Sequence, residues 1–237
     1  MQIKVLSWNI HKCVGIDKLR SPFRILEVIR DINPDIAILQ EVDRKIGKMR
    51  STLPVSEIEE MTGMRAILSE ANTSYSIGWH GNLLLVKSDI TCRRQINIKL
   101  PSLEPRGAVV WELERRDQIF DVVGMHLGLL GLNRRRQAGA IASVIAARPI
   151  VPTIVSGDAN DWWEKSNELT VVEDLLENKA AKLKTFPARR PILSLDRTMT
   201  GRGAQIINQQ VVKGIIASDH LPLLSEIRIY EASQSER

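Results

Sequence analysis

The chain carries short apolar runs that each end abruptly in polar side chains, and these runs constrain its fold most. In Thr153–Ser156 a β-branched run stops at Gly157, and Asp158 and Asn160 follow. Runs this short and this apolar are typical of central strands covered on both faces. In open α/β sheets, ligands bind beyond the carboxyl ends of such strands. A Gly-Asp pair after a strand is by itself more often only a turn, so partners elsewhere in the chain decide its meaning.

The same pattern begins the chain. Lys4–Trp8 alternates as a strand into Asn9, and a helix is predicted from Ser21 to Asn33. Residues 35–41 then form an apolar run that ends in Glu41. A strand, a helix and a second buried strand predict parallel pairing through a right-handed crossover. We therefore expect Asn9 and Glu41 to emerge at the same edge of a sheet.

The rest of the chain alternates between strand and helix patterns, and the stretch from Ala66 to Met125 predicts an antiparallel meander. Further predicted elements are a short helix from Ser56 to Gly63, strands at 82–86, 94–98, 109–113 and 119–125, helices near 133–147 and 167–178, and strands at 192–199, 206–212 and 221–229. This order predicts a mixed α/β fold with two packed sheets and helices outside them. We expect one domain over residues 1–231 and a loose tail over 232–237.

The composition is that of an ordinary globular protein, with 237 residues, 43% hydrophobic and 26% charged. No apolar run approaches the length that spans a bilayer, and the start lacks a signal-peptide pattern. Cys13 and Cys92 have no metal-binding spacing. We expect a cytoplasmic protein with no membrane span and no evident obligate protein partner. The net charge of +5 mildly favours an anionic partner.

Polar side chains gather at the predicted strand ends. They are Asn9, Glu41, His126, the pair Asp158 and Asn160, and the sequence Ser218-Asp219-His220, with Asp196 inside a predicted strand. A buried aspartate needs a donor, and for Asp196 we expect that donor to be His220. Singly, each has a structural explanation: turns for Asn9 and Asn160, a surface ion pair of Glu41 with Arg44 or Lys45, a satisfied core position for His126, and a polar loop for Ser218-Asp219-His220. Their joint occurrence favours a site.

The chemistry of these residues points to a hard cation. Carboxylates, amides and histidines without thiolates suit Mg²⁺ or Mn²⁺. The chain has no P-loop, dinucleotide-binding, zincin or nucleophile-elbow motif. Ser218, Asp219 and His220 are adjacent, so in an extended chain they point alternately to opposite sides and do not form a serine triad among themselves.

In order along the chain, six motifs resemble those of the endonuclease/exonuclease/phosphatase superfamily, whose members include DNase I-like and exonuclease III-like enzymes. The motifs are Trp8-Asn9, Leu39-Gln40-Glu41, Gly124-Met125-His126-Leu127, Ser156-Gly157-Asp158-Ala159-Asn160, Leu195-Asp196-Arg197 and Ser218-Asp219-His220. Within the superfamily the chain is similar to a bacterial branch of undefined substrate. The resemblance implies a four-layer αββα sandwich of two mixed sheets flanked by helices, with the active site at one end of the sheets.

The resemblance also implies roles for single residues. The implied metal ligands are Asn9, Glu41 and Asp219, and the implied catalytic residues are His126, Asp158, Asn160, Asp196 and His220. Asp158 would orient or deprotonate the attacking water, Asn160 would hold that water or a phosphate oxygen, and His126 would donate to a non-bridging phosphate oxygen. His220, fixed by Asp196, would act at the phosphate. Candidate substrate contacts are Arg106, Arg134, Arg135 and Trp162.

The implied activity is hydrolysis of a phosphate ester with Mg²⁺, for which Mn²⁺ would substitute. A nuclease acting on DNA or RNA is the first hypothesis. One alternative is a phosphatase or phosphodiesterase acting on a lipid headgroup or a small phosphorylated metabolite, and another is a non-catalytic nucleic-acid-binding module. Aromatic residues make up only 4% of the chain and its loops are short, which departs from the DNA-processing members of the superfamily.

Overall fold

The computed structural model consists of two mixed β-sheets packed face to face with helices on their outer sides. It describes residues 1–43, 51–69, 77–101, 104, 106–163 and 166–230. The first half contains β1 (Gln2–Asn9), a short 3-10 turn (His11–Cys13), α1 (Pro22–Ile32), β2 (Ile36–Gln40), α2 (Val55–Thr62), β3 (Met64–Ile67), β4 (Leu83–Lys87) and β5 (Thr91–Lys99). The second half contains β6 (Gly107–Arg115), β7 (Gln118–His126), α3 (Gly131–Ala146), β8 (Thr153–Asp158), α4 (Thr170–Leu175), β9 (Asp196–Gly201), β10 (Ala204–Val211) and β11 (Leu223–Ile229).

Three apolar clusters separate the layers. One lies between the sheets and joins β1 and β2 to β6 and β7 through residues such as Ile38 and Trp111. The second lies under α1 and α2, and the third lies under α3 and α4. Because successive strand residues point to opposite faces, Val5 joins the central cluster while Leu6 joins the helix side. The predicted α/β sandwich is therefore confirmed.

The strand order brings the polar strand ends to one edge. The sheets run β10-β11-β1-β2-β4-β3 and β5-β6-β7-β8-β9. β1 and β2 are parallel, and Asn9 pairs in register with Gln40, so Asn9 and Glu41 emerge together as expected. In the second sheet, β7 and β8 are parallel and His126 pairs with Asp158. β9 is antiparallel to β8 and begins at the same edge, where Asp196 pairs with Asp158.

Several element boundaries differ from the prediction. Only β5, β6 and β7 form the antiparallel meander, because β4 pairs with β2 in the other sheet. β3 was not predicted, and it pairs with β4 as an edge strand. The strand predicted at 192–199 begins only at Asp196, and the helix predicted at 167–178 is reduced to α4. The predicted tail, 232–237, and the proposed Glu41 partners Arg44 and Lys45 lie outside the described residues.

Two further points concern the helices. Asn33 caps α1 in a left-handed conformation, with its N–H donating to the carbonyl of Ile29, and Pro34 follows. Within the described part of the chain, no helix combines the length and the apolar character needed to cross a membrane.

Gly157 offers a direct test of how tightly β7 and β8 are joined. Its φ of +149° is a conformation that side chains disfavour, and a Cβ there would lie 1.9 Å from the carbonyl oxygen of Met125. We expect Gly157→Ala to lower the free energy of unfolding by about 3 kcal/mol, measured by urea denaturation. Gly139→Ala is the matched control, because a Cβ there meets nothing within 4 Å and alanine favours the α3 helix. Equal stability of the two variants would contradict this account.

Candidate active site

Asp158, at the end of β8, is the buried centre of the strand-end cluster. Its Oδ2 accepts a hydrogen bond from Asn9 Nδ2 at 2.9 Å, and its Oδ1 accepts one from the main-chain N–H of Asn160 at 2.9 Å. Burial raises the pKa of Asp158 to about 6, and nearby Asp196 adds to the rise, while His220 and the two donors oppose it. Asp158 is thus a carboxylate whose pKa lies close to neutral pH.

His220 forms the pair with Asp196 that the sequence suggested. Its Nδ1 lies 2.9 Å from Asp196 Oδ2, and that same oxygen accepts from the Thr185 hydroxyl at 2.5 Å. Burial disfavours the imidazolium, but Asp196, with Asp158 and Asp219 adding smaller effects, raises the pKa of His220 to about 10. At neutral pH His220 is therefore protonated.

The loop bearing His220 is tied to the end of β1. The indole Nε1 of Trp8 donates to the carbonyl of His220 at 2.9 Å, and the hydroxyl of Ser218 donates to the carbonyl of Asn9 at 2.7 Å. The ring of Phe186 packs on the imidazole with centroids 4.9 Å apart. These contacts fix the ring, so that its Nε2 lies 3.9 Å from Asp158 Oδ2.

His126 approaches the same carboxylate from the end of β7. Its Nε2 lies 3.5 Å from Asp158 Oδ2 and 4.0 Å from Glu41 Oε1. The guanidinium of Arg106 contacts this same Nε2. An arginine only donates, so Nε2 acts as the acceptor in this contact. Arg106 is itself buried and paired with Glu104.

Glu41 stands just past β2 in a left-handed backbone conformation, which is uncommon for a residue with a side chain. Its carboxylate pairs with the ammonium of Lys12, and its carbonyl accepts from the Lys12 N–H at 3.1 Å. Next to Lys12, His11 Nδ1 lies 3.6 Å from Asp219 Oδ1. The sequence analysis missed His11 and Lys12. Their signal was available, because both lie within three residues of the strand-end amide of Asn9.

The oxygen donors of this edge fit Mg²⁺. Glu41 supplies a carboxylate and Asn9 an amide oxygen, from neighbouring parallel strands. No group of three or more Asp, Glu, His or Cys side chains among the described residues forms a complete metal cage. Mg²⁺ is commonly held by one or two carboxylates and several waters, so a sparse oxygen set suits it, whereas a structural zinc site would call for thiolates or more histidines.

The remaining predicted substrate contacts fall in different places. The guanidinium of Arg134 is buried, donates to the carbonyl of Leu129 at 2.5 Å and pairs with Glu168. The structure therefore gives Arg134 a bracing role in the loop after β7, which corrects the expectation that it faces a phosphate. Arg135 is exposed and bonds Asn167 Oδ1 at 2.6 Å. Trp162 is exposed in the loop after β8.

A sequence model described as the endonuclease/exonuclease/phosphatase family matches residues 6–220. The chain belongs to this family. Its members are hydrolytic phosphoesterases. The Escherichia coli protein YbhP, which is uncharacterized, is 27% identical over 250 residues that cover 95% of this chain and 96% of YbhP.

Two solved structures show how widely this fold is shared. The human Nocturnin catalytic domain, which contains a bound sulfate anion, superposes with a TM-score of 0.74 at 20% identity, covering 96% of this chain and 94% of that domain. TDP2 from D. rerio, complexed with single-strand DNA product, gives 0.71 at 14% identity, covering 96% and 99%. These likenesses establish the fold, and the function has to be argued from the site.

Replacing Asp196 tests what sets the charge of His220. We expect Asp196→Asn to lower the pKa of His220 from about 10 toward the ordinary histidine value, because the main charge favouring the imidazolium is removed. NMR titration of the imidazole resonances measures this change. Asp174→Asn, on the exposed side of α4, is the control and should leave the titration unchanged. An unaltered pKa of His220 in Asp196→Asn would contradict the assignment.

Proposed function

We propose that this chain is a divalent-metal-dependent phosphodiester hydrolase that uses Mg²⁺, with Mn²⁺ as a substitute. One observation carries the proposal: the buried Asp158 lies 2.9 Å from Asn9 of the other sheet, 3.5 Å from His126 and 3.9 Å from His220. Both sheets supply groups to this point, so neither half of the chain holds the site alone. This supports treating residues 1–231 as one domain.

His220 serves the phosphate side of the reaction. Because Asp196 engages its Nδ1, the proton on Nε2 is directed toward Asp158 and the space beside it. A protonated Nε2 donates to a phosphate oxygen as negative charge develops there, which lowers the barrier. Asp196 acts by orienting the imidazole and stabilising its charge.

Asp158 acts on the attacking water as a general base. A general base works best when its pKa lies near the operating pH, and a value of about 6 meets that condition. Asn9 and the main-chain N–H of Asn160 hold the carboxylate in place. The Asn160 side chain donates to the carbonyl of Leu127 at 2.9 Å, so its Oδ1 is the atom that accepts from the attacking water.

Glu41 and Asn9 would hold the metal, and Asp219, whose Oδ1 lies 3.6 Å from His11 Nδ1, is the third proposed ligand. A divalent cation such as Mg²⁺ held by these residues would supply neutralisation of the phosphoryl oxygens and activation of water. Arg106 adds a fixed positive charge next to His126, whose Nε2 lies 4.0 Å from Glu41 Oε1. Such a cation stabilises the charge that builds on the phosphate in the transition state.

Two substrate classes have support. Nucleic acid is favoured by the family likeness and by the single-strand DNA product held by D. rerio TDP2. A lipid headgroup is favoured by exposed leucine, isoleucine and tryptophan side chains in the loops around the site. Both cysteines are free, which supports the cytoplasmic setting proposed from the sequence.

Glu41→Gln tests the metal site. On an activated soluble phosphodiester with Mg²⁺ or Mn²⁺, we expect the rate to fall and the metal concentration for half-maximal rate to rise, because one charged oxygen ligand is lost. EDTA should abolish turnover by the unchanged protein. Glu27→Gln, on the exposed face of α1, is the control and should behave like the unchanged protein.

His220→Gln tests the acid at the phosphate. We expect kcat to fall by roughly 10²- to 10⁴-fold, as for loss of a general acid or base, with little change in the metal requirement. The same panel should include single- and double-stranded DNA, RNA and phospholipid. Absence of metal-dependent turnover above the Glu41→Gln level on every substrate would overturn the enzyme proposal and leave a non-catalytic binding module.

A further inference from the structure

Four loops around the site expose large apolar side chains to solvent, and we name this set the apolar rim. It consists of Leu129, Leu130, Trp162, Trp163, Ile192 and Ile216. Trp163 is 73% exposed, Leu130 66% and Ile192 58%. Scattered exposed hydrophobic residues are normal on any protein, but a group of them around one site indicates a surface that contacts something apolar.

The topology explains why these side chains share one edge. The loop with Leu129 and Leu130 follows His126, and the tryptophan pair follows Asp158 and Asn160. Ile192 precedes Asp196 at the start of β9, and Ile216 precedes the loop that carries His220. Each of these four loops therefore lies next to a residue of the site and carries part of the apolar rim.

Two depressions and one hydrogen bond connect parts of these loops. Trp162, Trp163 and Ile192 line one depression with Lys184. Ala188, Arg189 and Pro191 line a second groove of about 350 Å³ with Ile216 and with Leu221, the residue after His220. On the other side, Arg135 bonds Asn167, which links the start of α3 to the chain beyond the tryptophan pair.

Positive charge lies along the rim outside the tryptophan loop, which itself contains Asp161, Glu164 and Glu168. Lys184, Arg189, Arg190 and Lys213 are exposed in the loops that carry the rim. Residues 129–136, 179–192 and 212–217 contain no Asp or Glu. Arg189 and Lys213 line the groove itself. Apolar side chains interleaved with cations complement the surface of an anionic bilayer, where the rings sit at headgroup level and the cations meet phosphate.

The types of side chain in the apolar rim indicate whether its binding partner is a bilayer or a nucleic acid. Proteins hold single-stranded nucleic acid by stacking bases on aromatic faces, and only the tryptophan pair offers such faces here. Leu129, Leu130, Ile192 and Ile216 are aliphatic and exposed. An aliphatic side chain gains from entering hydrocarbon and has no face on which a base stacks.

We propose that the site-bearing edge docks on anionic phospholipid bilayers through the apolar rim and its flanking cations, and that the hydrolysed phosphodiester belongs to a phospholipid headgroup. The docking part is independent of the proposed function, whereas the substrate part rests on it. In the reaction, the water oxygen bonds to phosphorus as one P–O ester bond breaks. A water proton passes to the departing alkoxide, which leaves an alcohol and a phosphomonoester.

Vesicle binding tests the docking. We expect the protein to cosediment with vesicles containing phosphatidylglycerol more strongly than with phosphatidylcholine vesicles, and its tryptophan emission to shift to the blue as Trp162 and Trp163 leave water. Leu130→Ser should weaken partition roughly tenfold, because one apolar side chain no longer enters the bilayer. Lys184→Gln and Arg190→Gln should each weaken it about fivefold at low salt.

Ile150→Ser is the matched control. Ile150 is 79% exposed and lies just before the start of β8, at the end of that strand opposite Asp158, so its replacement should leave vesicle partition unchanged. Circular dichroism verifies that each variant is folded. Equal partition of Leu130→Ser and Ile150→Ser, or equal binding to neutral and anionic vesicles, would overturn the docking.

Hydrolysis separates failure of the inference from failure of the proposed function. We expect phosphatidylglycerol in vesicles to be cleaved with Mg²⁺, and Leu130→Ser to lower the vesicle rate relative to the rate on a soluble phosphodiester. Turnover of the soluble diester without cleavage of phospholipid would overturn the substrate part alone. Cleavage of single-stranded DNA in preference to phospholipid would overturn it in favour of a nuclease. No turnover on any substrate would overturn the proposed function.

Discussion

A hydrogen bond between the two sheets organises this protein. Asn9 ends β1 in one sheet and Asp158 ends β8 in the other, and their side chains meet at 2.9 Å in the interior. A buried carboxylate without donors is costly, so this bond and the Asn160 N–H are what make the burial of Asp158 tolerable. A shift of either sheet breaks this hydrogen bond. The packing of the two sheets and the geometry of the site therefore depend on each other.

The charges around Asp158 depend on one another. Asp196 raises the pKa of both Asp158 and His220, while the imidazolium of His220 lowers that of Asp158. Removing one member of a buried charged group leaves its partner uncompensated, which costs more than the pair contributes. A single substitution at this edge will therefore change the protonation of neighbouring side chains as well as remove the role of the replaced one. For this reason both an NMR titration of His220 and a hydrolysis rate are needed.

The sequence could predict what local pattern encodes. The apolar runs into Asn9 and Glu41 predicted parallel strands and a shared edge, and the run into Asp158 predicted a buried strand with polar residues at its end, because burial on both faces leaves a readable signature. It could not assign β4 to its sheet, since an isolated apolar strand carries no record of its partner. The burial of Arg134 was missed for a related reason, because its ion-pair partner Glu168 is 34 residues away in the sequence and becomes close only in the folded chain.

The six motifs contain little information about which phosphate ester is the substrate. Asn9, Asp158 and His220 address a metal, a water and a phosphate, which every phosphate ester shares. What differs between a nucleic acid and a phospholipid lies beyond the phosphate, where the loops contact it. The sequence showed only that the chain, with 4% aromatic residues and short loops, departs from the DNA-processing members of the superfamily. The structure adds that the exposed apolar residues of these loops lie around the site. The small number of aromatic side chains and the larger number of aliphatic ones therefore both favour a surface that contacts a bilayer.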